Sequence, residues 1–297
     1  MSAEKVAAAH LRRQKALARR AALEVAKLWA RVDRRAIGSS WLATIPAVRT
    51  VLESAQAIAA ASAGQYLDDL LDVYDLPGAP AGRIQPGRFA GVASDGRPLE
   101  TLLYQPVIGA LTAIGQGATV PKAMAVGRFT TDLIVRTQVA DAGRVADGVA
   151  LTARPQLTGW VRMLTLPSCA RCVLLAGRRY SWSAGFQRHP RCDCRHIPAP
   201  EDVADDLRTD PKAYFRSLPE KEQDRLFTES GAQAIRDGAD MARVVNARRG
   251  MEVAAGRKVT TEARTWRLRL MPEQIYLEAR GNRDEAIRLL RLHGYLI

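Results

Sequence analysis

The sequence predicts a mainly α protein: a helical N-terminal region that opens with a long basic helix, followed by a small α+β domain built round a zinc knuckle. Three observations predict this. Residues 3–36 are rich in Ala and contain neither Gly nor Pro, which suits one long helix. Residues 37–150 repeat helical patterns of small apolar side chains, interrupted by Gly- and Pro-rich turns. All four cysteines, Cys169, Cys172, Cys192 and Cys194, fall within 26 residues, interleaved with His189 and His196. The boundary between the two regions is expected near residue 150, giving domains 1–150 and 151–297.

Composition narrows the class. The chain is 47% apolar and 25% charged, so it folds rather than staying disordered, and with only 6% aromatic residues its core rests on Ala, Leu and Val. The N-terminus is charged throughout and lacks the apolar run of a signal peptide. The best candidate for a membrane span, residues 55–67, is too short, so no membrane partner is expected. Cysteines in such a protein stay reduced, which favours metal binding over disulfides.

The first helix should run from Ala3 to Ala36. Leu11, Ala18, Val25 and Val32 recur every seven residues, with Ala21 and Leu28 beside them, and make a narrow apolar seam. Arg13, Arg20, Lys27 and Arg34 recur at the same interval and, with Lys5, Arg12 and Arg19, make one flank basic along its length. Gly38-Ser39-Ser40 is expected to break the helix. A second helix follows over residues 45–74, with Pro46 tolerated in its first turn. It ends in the acidic run Asp68, Asp69, Asp72 and Asp75, read as a solvated face or a dock for the basic helix.

Asp75 to Pro98 holds nine Gly or Pro residues and reads as a long surface loop. Helical patterns resume at 99–114, interrupted by Pro106, and at 120–142, with Gly115 and Gly117 in the turn between them. From Leu157, alternation of Thr158, Trp160, Arg162 and Leu164 suggests a strand leading into the cysteine window. Asp210-Pro211 starts a further helix. Near the C-terminus Ala286, Leu289, Leu290 and His293 share one helix face, which makes His293 a packing residue.

The cysteine window reads Cys-x-x-Cys, sixteen residues, then His-x-x-Cys-x-Cys-x-His. Four sulfur or imidazole ligands in such pairs are the sequence mark of tetrahedral Zn²⁺. Cys169, Cys172 and His189 are expected ligands, with Cys192 or Cys194 as the fourth and His196 as a surface residue. Four protein ligands close the site, so the zinc is structural and no catalytic residue is expected.

The formal charge of +13 is concentrated. Residues 1–36 carry ten Lys or Arg against three acids, and residues 160–200 carry seven Arg against Asp193 alone. Positive charge so localised suits a polyanion, because each neutralised phosphate releases a counterion. The DNA-contact residues expected are Arg12, Arg13, Arg19, Arg20, Lys27 and Arg34 on the helix, with Arg178, Arg179, Arg188 and Arg191 in the cysteine window.

Several enzymes are excluded or set aside. A zinc deaminase needs an upstream His-x-Glu, and the only upstream histidine, His10, is followed two residues later by Arg12. No phosphate loop, nucleophile elbow or dinucleotide fingerprint occurs. A zinc-held nuclease, with His189 or His196 as base and Arg178 or Arg179 as clamp, is the enzyme alternative, and a DNA-binding regulatory module is another.

At these residues the sequence resembles a known family. CARC…GRRYSW…GFQRHPRCDC…IP resembles the Mu F-like minor head (head morphogenesis) proteins of tailed bacteriophages, and the segments EKEQDRLF, GAQAIRDGADMARVVNARRGM and RLMPEQIY…LLRLHGYLI resemble their actinobacteriophage branch. The resemblance spans residues 157–297 by motif and residues 1–150 only by helical, basic character. It implies a virion protein of the capsid interior that binds the portal, with the major capsid or scaffold protein and packaged double-stranded DNA as further partners, and that acts in head assembly, genome packaging or ejection. The family's Cys/His cluster falls on Cys169, Cys172, His189, Cys192 and Cys194. No enzymatic activity is implied.

Overall fold

The computed structural model describes residues 2–164, 168–184, 195–202, 210–261 and 269–296. Within them the chain divides into two compact units. The first takes residues 2–161, 179–184 and 195–202, and the second takes 162–164, 168–178, 210–261 and 269–296.

The first unit is a helical bundle. Its helices are α1 (Ala3–Ala30), α2 (Ile37–Val73), α3 (Leu99–Leu103), α4 (Gln105–Gly115) and α5 (Val120–Thr152). α5 packs against α1, α2 and α4, and α1 also packs against α2. The buried stripe of α1 runs through Ala3, Ala7, His10, Ala18, Ala21, Val25 and Trp29, broader than the predicted seam. Two tryptophans anchor the core edge to face, their ring centroids 4.9 Å apart. Trp29 Nε1 donates to the Met124 carbonyl at 3.0 Å and Trp41 Nε1 to that of Leu103 at 2.7 Å. Gly127 lets α1 and α5 approach: a Cβ there would lie 2.1 Å from the Trp29 ring.

Polar pegs cross the bundle as well. Gln14 of α1 donates to the Ala59 carbonyl and Ser62 Oγ of α2, at 3.0 and 2.9 Å, and a Cβ at Gly143 of α5 would meet its amide at 2.7 Å. Arg154, just beyond α5, is buried. It donates to Asp68 Oδ1 at 2.9 and 2.5 Å, and to the carbonyls of Ala150 and Gly64. The first residue of the acidic run is therefore a clamp between α2 and the end of α5.

The boundaries of α1, α2 and α5 differ from expectation, α5 running on past residue 142 to Thr152. α1 ends at Ala30, and Gly38-Ser39-Ser40 lies inside α2. The break falls at residues 31–36 because Asp33 caps the Arg35 amide, while Ser40 Oγ accepts from the Asp33 amide and donates to the Ala36 carbonyl. Local polar side chains here outcompete the helical ladder. Arg34 thus lies on the connection rather than on the helix. The loop from 75 to 98 has a single 3₁₀ turn, Pro86–Phe89, and is tied down by glutamines. Gln56 bonds Gly91 and Val92, and Gln138 accepts from the Ser94 amide and hydroxyl.

After the bundle, β1 (Gly159–Met163) lies between β2 (Arg179–Ser181) and β3 (Arg195–Ala199). β1 and β2 are antiparallel, with Gly159 opposite Ser181 and Val161 opposite Arg179.

The second unit contains α6 (Ala170–Leu175), α7 (Pro211–Ser217), α8 (Glu220–Phe227), α9 (Glu229–Arg236), α10 (Met241–Ala247), α11 (Pro272–Ala279) and α12 (Arg283–Leu292), with a meander of β4 (Met251–Ala254), β5 (Arg257–Thr260) and β6 (Arg269–Leu270). Ala255 and Gly256 make the β4–β5 turn with positive φ, 49° and 75°, as a two-residue hairpin requires. One cluster of buried residues gathers Val173, Phe215, Phe227, Ala232 and Met241. Another gathers Val244, Val259, Leu270, Ile275, Leu290 and Tyr295.

Candidate functional site

The exposed flank of α1 presents Lys5, Arg12, Arg13, Lys15, Arg19, Arg20 and Lys27. Lys27 is paired with Glu24 at 2.9 Å. Arg12, Arg13, Arg19 and Arg20 have no ion pair or side-chain hydrogen bond among the described residues. The two arginine pairs are seven residues apart, which is about 10 Å along a helix. Exposure of the whole row follows from the heptad spacing: burying the Ala and Val stripe turns the basic flank outward.

Beneath this flank, on the buried side of α1, lies a cluster the sequence reading missed. His10 Nε2 is 3.1 Å from Asp147 Oδ2 of α5, and His196 Nε2 of β3 lies 3.9 Å from the same oxygen. All three residues are buried, with between 4% and 6% of their surface exposed. Tyr66 of α2 stacks on His10 with centroids 4.0 Å apart and planes at 2°. Its hydroxyl donates to the His196 carbonyl at 3.1 Å. Trp160 of β1 meets His196 edge to face at 5.5 Å and stacks on Tyr180 of β2 at 4.2 Å. Tyr74 donates to the Pro198 carbonyl at 3.0 Å, and burial pushes its hydroxyl well above the usual tyrosine range.

This cluster corrects the expectation that His196 is a surface residue. β3 carries the ring into the bundle because Tyr66 of α2 and Tyr74 just beyond it donate to its carbonyls. A buried carboxylate needs polar partners, and the His10 imidazole supplies one at hydrogen-bond distance, with the His196 ring farther off. With every member shielded from solvent, the cluster joins α1, α5 and β3 rather than facing a reagent. His10 was its signal in the sequence: a polar residue inside an otherwise apolar stripe.

The cysteine window divides. Cys169 is exposed at the start of α6, and Cys172 is buried in its first turn. His189, Cys192 and Cys194, together with Arg188 and Arg191, lie outside the described residues. Among the described residues no group of three or more His, Cys, Asp or Glu is arranged to hold a metal ion. Arg178 is exposed, whereas Arg179 is half-buried, donating to Thr158 Oγ1 at 2.8 Å and lying 3.6 Å from Glu201. No helix among the described residues is long and apolar enough to cross a membrane. His293 is half-buried; its Nδ1 accepts from the Leu270 amide at 3.3 Å, and burial depresses its pKa.

A family model described as VG15 protein matches residues 1–220 of the chain. No curated protein matches it, and neither does any solved structure.

Proposed function

The chain belongs to the VG15 protein family, a family of phage proteins, and from that premise we propose that it is a minor head protein of the Mu F-like kind, resident in the capsid interior, that binds the portal and non-specifically holds packaged double-stranded DNA. The observation that carries this reading is the row of uncommitted arginines, Arg12, Arg13, Arg19 and Arg20, along the exposed flank of α1. Such a row contacts phosphates without reading bases, as a protein handling any packaged sequence must. The family match takes in the whole of α1, the bundle and the cysteine window, so the basic flank and the candidate metal ligands belong to the matched region.

In this reading Cys169, Cys172, His189 and one of Cys192 and Cys194 hold a structural Zn²⁺, which would fix the arginine-bearing window between them. Zinc supplies folding energy there and no chemistry. The major capsid or scaffold protein is a further partner in assembly.

Duplex DNA binding measured against salt concentration tests the central point. Replacing Arg13 and Arg20 with Glu should lower the slope of log affinity against log salt by about 2, roughly one for each lost phosphate contact. An unchanged slope in a variant that keeps its helical circular dichroism would remove DNA from the reading.

A further inference from the structure

α2, the end of α5 and the loop that follows α2 surround a cavity of about 280 Å³ in the first unit. The loop is held against the end of α5 by the Ala81 amide, which donates to the Ala153 carbonyl at 2.8 Å. Its residues Pro80, Ile84 and Pro86 give the cavity an apolar side. Gly64 of α2 and Gly82 of the loop also line it, and a Cβ built on either would stand in open space, with no atom within 4 Å. Two positions that could fill the cavity thus carry no side chain.

The charged part of the lining is the Arg154–Asp68 pair together with Arg83. Arg154 has only 4% of its side chain exposed, and four of its five N–H groups are committed. Nε and Nη2 donate to Asp68 Oδ1, Nη2 also to the Gly64 carbonyl, and Nη1 to that of Ala150. The fifth N–H, on Nη1, has no acceptor among the described residues, and a buried donor left so is costly. Asp68 Oδ2 has no donor among the described residues. One donor and one acceptor therefore remain on two bonded groups whose charges cancel. Arg83 is exposed and has no ion pair among the described residues.

We propose that this cavity binds the base of a nucleotide, with the phosphate of that nucleotide on Arg83. A base edge carries a donor beside an acceptor, which matches the two groups left on Asp68 and Arg154, and its flat faces suit the side made by Pro80, Ile84 and Pro86. A bare anion suits the interior poorly, because Asp68 already neutralises Arg154 there. An organic cation would meet two arginines, and a wholly apolar ligand would leave the donor and the acceptor unmet. The volume is close to the lower end of ligand pockets, roughly 300 Å³, so it suits one base rather than a base pair. Such a base comes from a free nucleotide or from an unpaired position in a strand. The site goes beyond the duplex contacts of α1 and does not rest on them.

Calorimetric titration of the deoxynucleoside monophosphates into the full-length protein is the test. At least one should bind, and on the order of tenfold more tightly than its nucleoside, as one charge-assisted bond to phosphate provides. Arg83→Ala should erase that difference, whereas Arg88→Ala, which removes an exposed arginine of the same loop outside the cavity, should preserve it. Gly64→Leu and, separately, Gly82→Leu fill the space and should each abolish binding at unchanged helical circular dichroism. A single-stranded oligonucleotide that displaces the bound nucleotide assigns the site to a strand, and one that leaves it bound assigns the site to free nucleotides. The proposal is overturned if no nucleotide binds, or if either leucine variant, folded, binds as the native chain does. It is also overturned if inorganic phosphate, or N-acetylglutamine amide with its side-chain donor and acceptor, displaces the nucleotide at equal concentration. Reversing Arg13 and Arg20 on α1 should leave nucleotide affinity as it was, so this result and the salt-dependence result fail separately.

Discussion

In the first unit the three long helices, of 28, 37 and 33 residues, have one side-chain N-cap among them, Ser2 on α1. In the second unit four of the seven described helices start from a capping side chain: Asp210 on α7, Thr228 on α9, Asp240 on α10 and Asn282 on α12. None of those seven is longer than ten residues. The difference follows from nucleation. A helix shorter than roughly 12–15 residues is marginal in water, so its end groups matter, whereas a long helix is held by the face it buries. The bundle therefore depends on anchors in its middle, and the second unit on what happens at each helix start.

The largest expected effect tests the anchors. Trp41→Ala, which empties a fully buried site and removes the bond to the Leu103 carbonyl, should cost about 3–5 kcal/mol in chemical denaturation. A loss below 1 kcal/mol would show that the seam, and not its aromatic pair, carries the bundle. An intermediate effect tests the caps. Asp240→Ala should cost about 1 kcal/mol and raise amide exchange in the first turn of α10, because the Arg243 amide loses its acceptor. Ser2→Ala should cost less, since fraying one turn of α1 leaves its packed stripe in place. Equal costs would erase the contrast between the units.

The smallest effect concerns pH. Burial and the nearby Arg269 lower the pKa of His293 in the folded state below its usual 6.5. The unfolded chain then binds the proton at a higher pH than the folded chain does. Between 6.5 and the lowered value, stability should therefore fall as the pH falls. His293→Gln should remove that part of the slope, and a slope that persists assigns it to another group.

Much of this fold was legible because it is local. The heptads of α1, the long Gly/Pro-rich loop, the strand at Trp160 and the cap at Asp210 are patterns of near neighbours. Features set by distant partners were not. His196 reaches its burial through Tyr66 and Asp147, which lie far off in sequence, and no local pattern distinguishes such a histidine from an exposed one. The break after α1 was misplaced because a glycine and two serines look like a stop, although Ser40 in fact seals the turn ahead of α2. The β4–β5 hairpin had a visible signal, Ala-Gly between alternating residues, that went unread. Of the predicted zinc ligands, only Cys169 and Cys172 lie in the described residues.

Gln14 gives the bundle a mechanical property that an apolar seam lacks. Greasy surfaces let one helix creep along another, since each slipped position offers similar contact. A side chain bonded to Ala59 and Ser62 and seated over Gly143 works instead as a dowel. Sliding α1 by a turn would strand that amide against hydrocarbon. A pull along the arginine flank, of the kind a moving polymer exerts, is thus resisted in shear and passed on to α2 and α5.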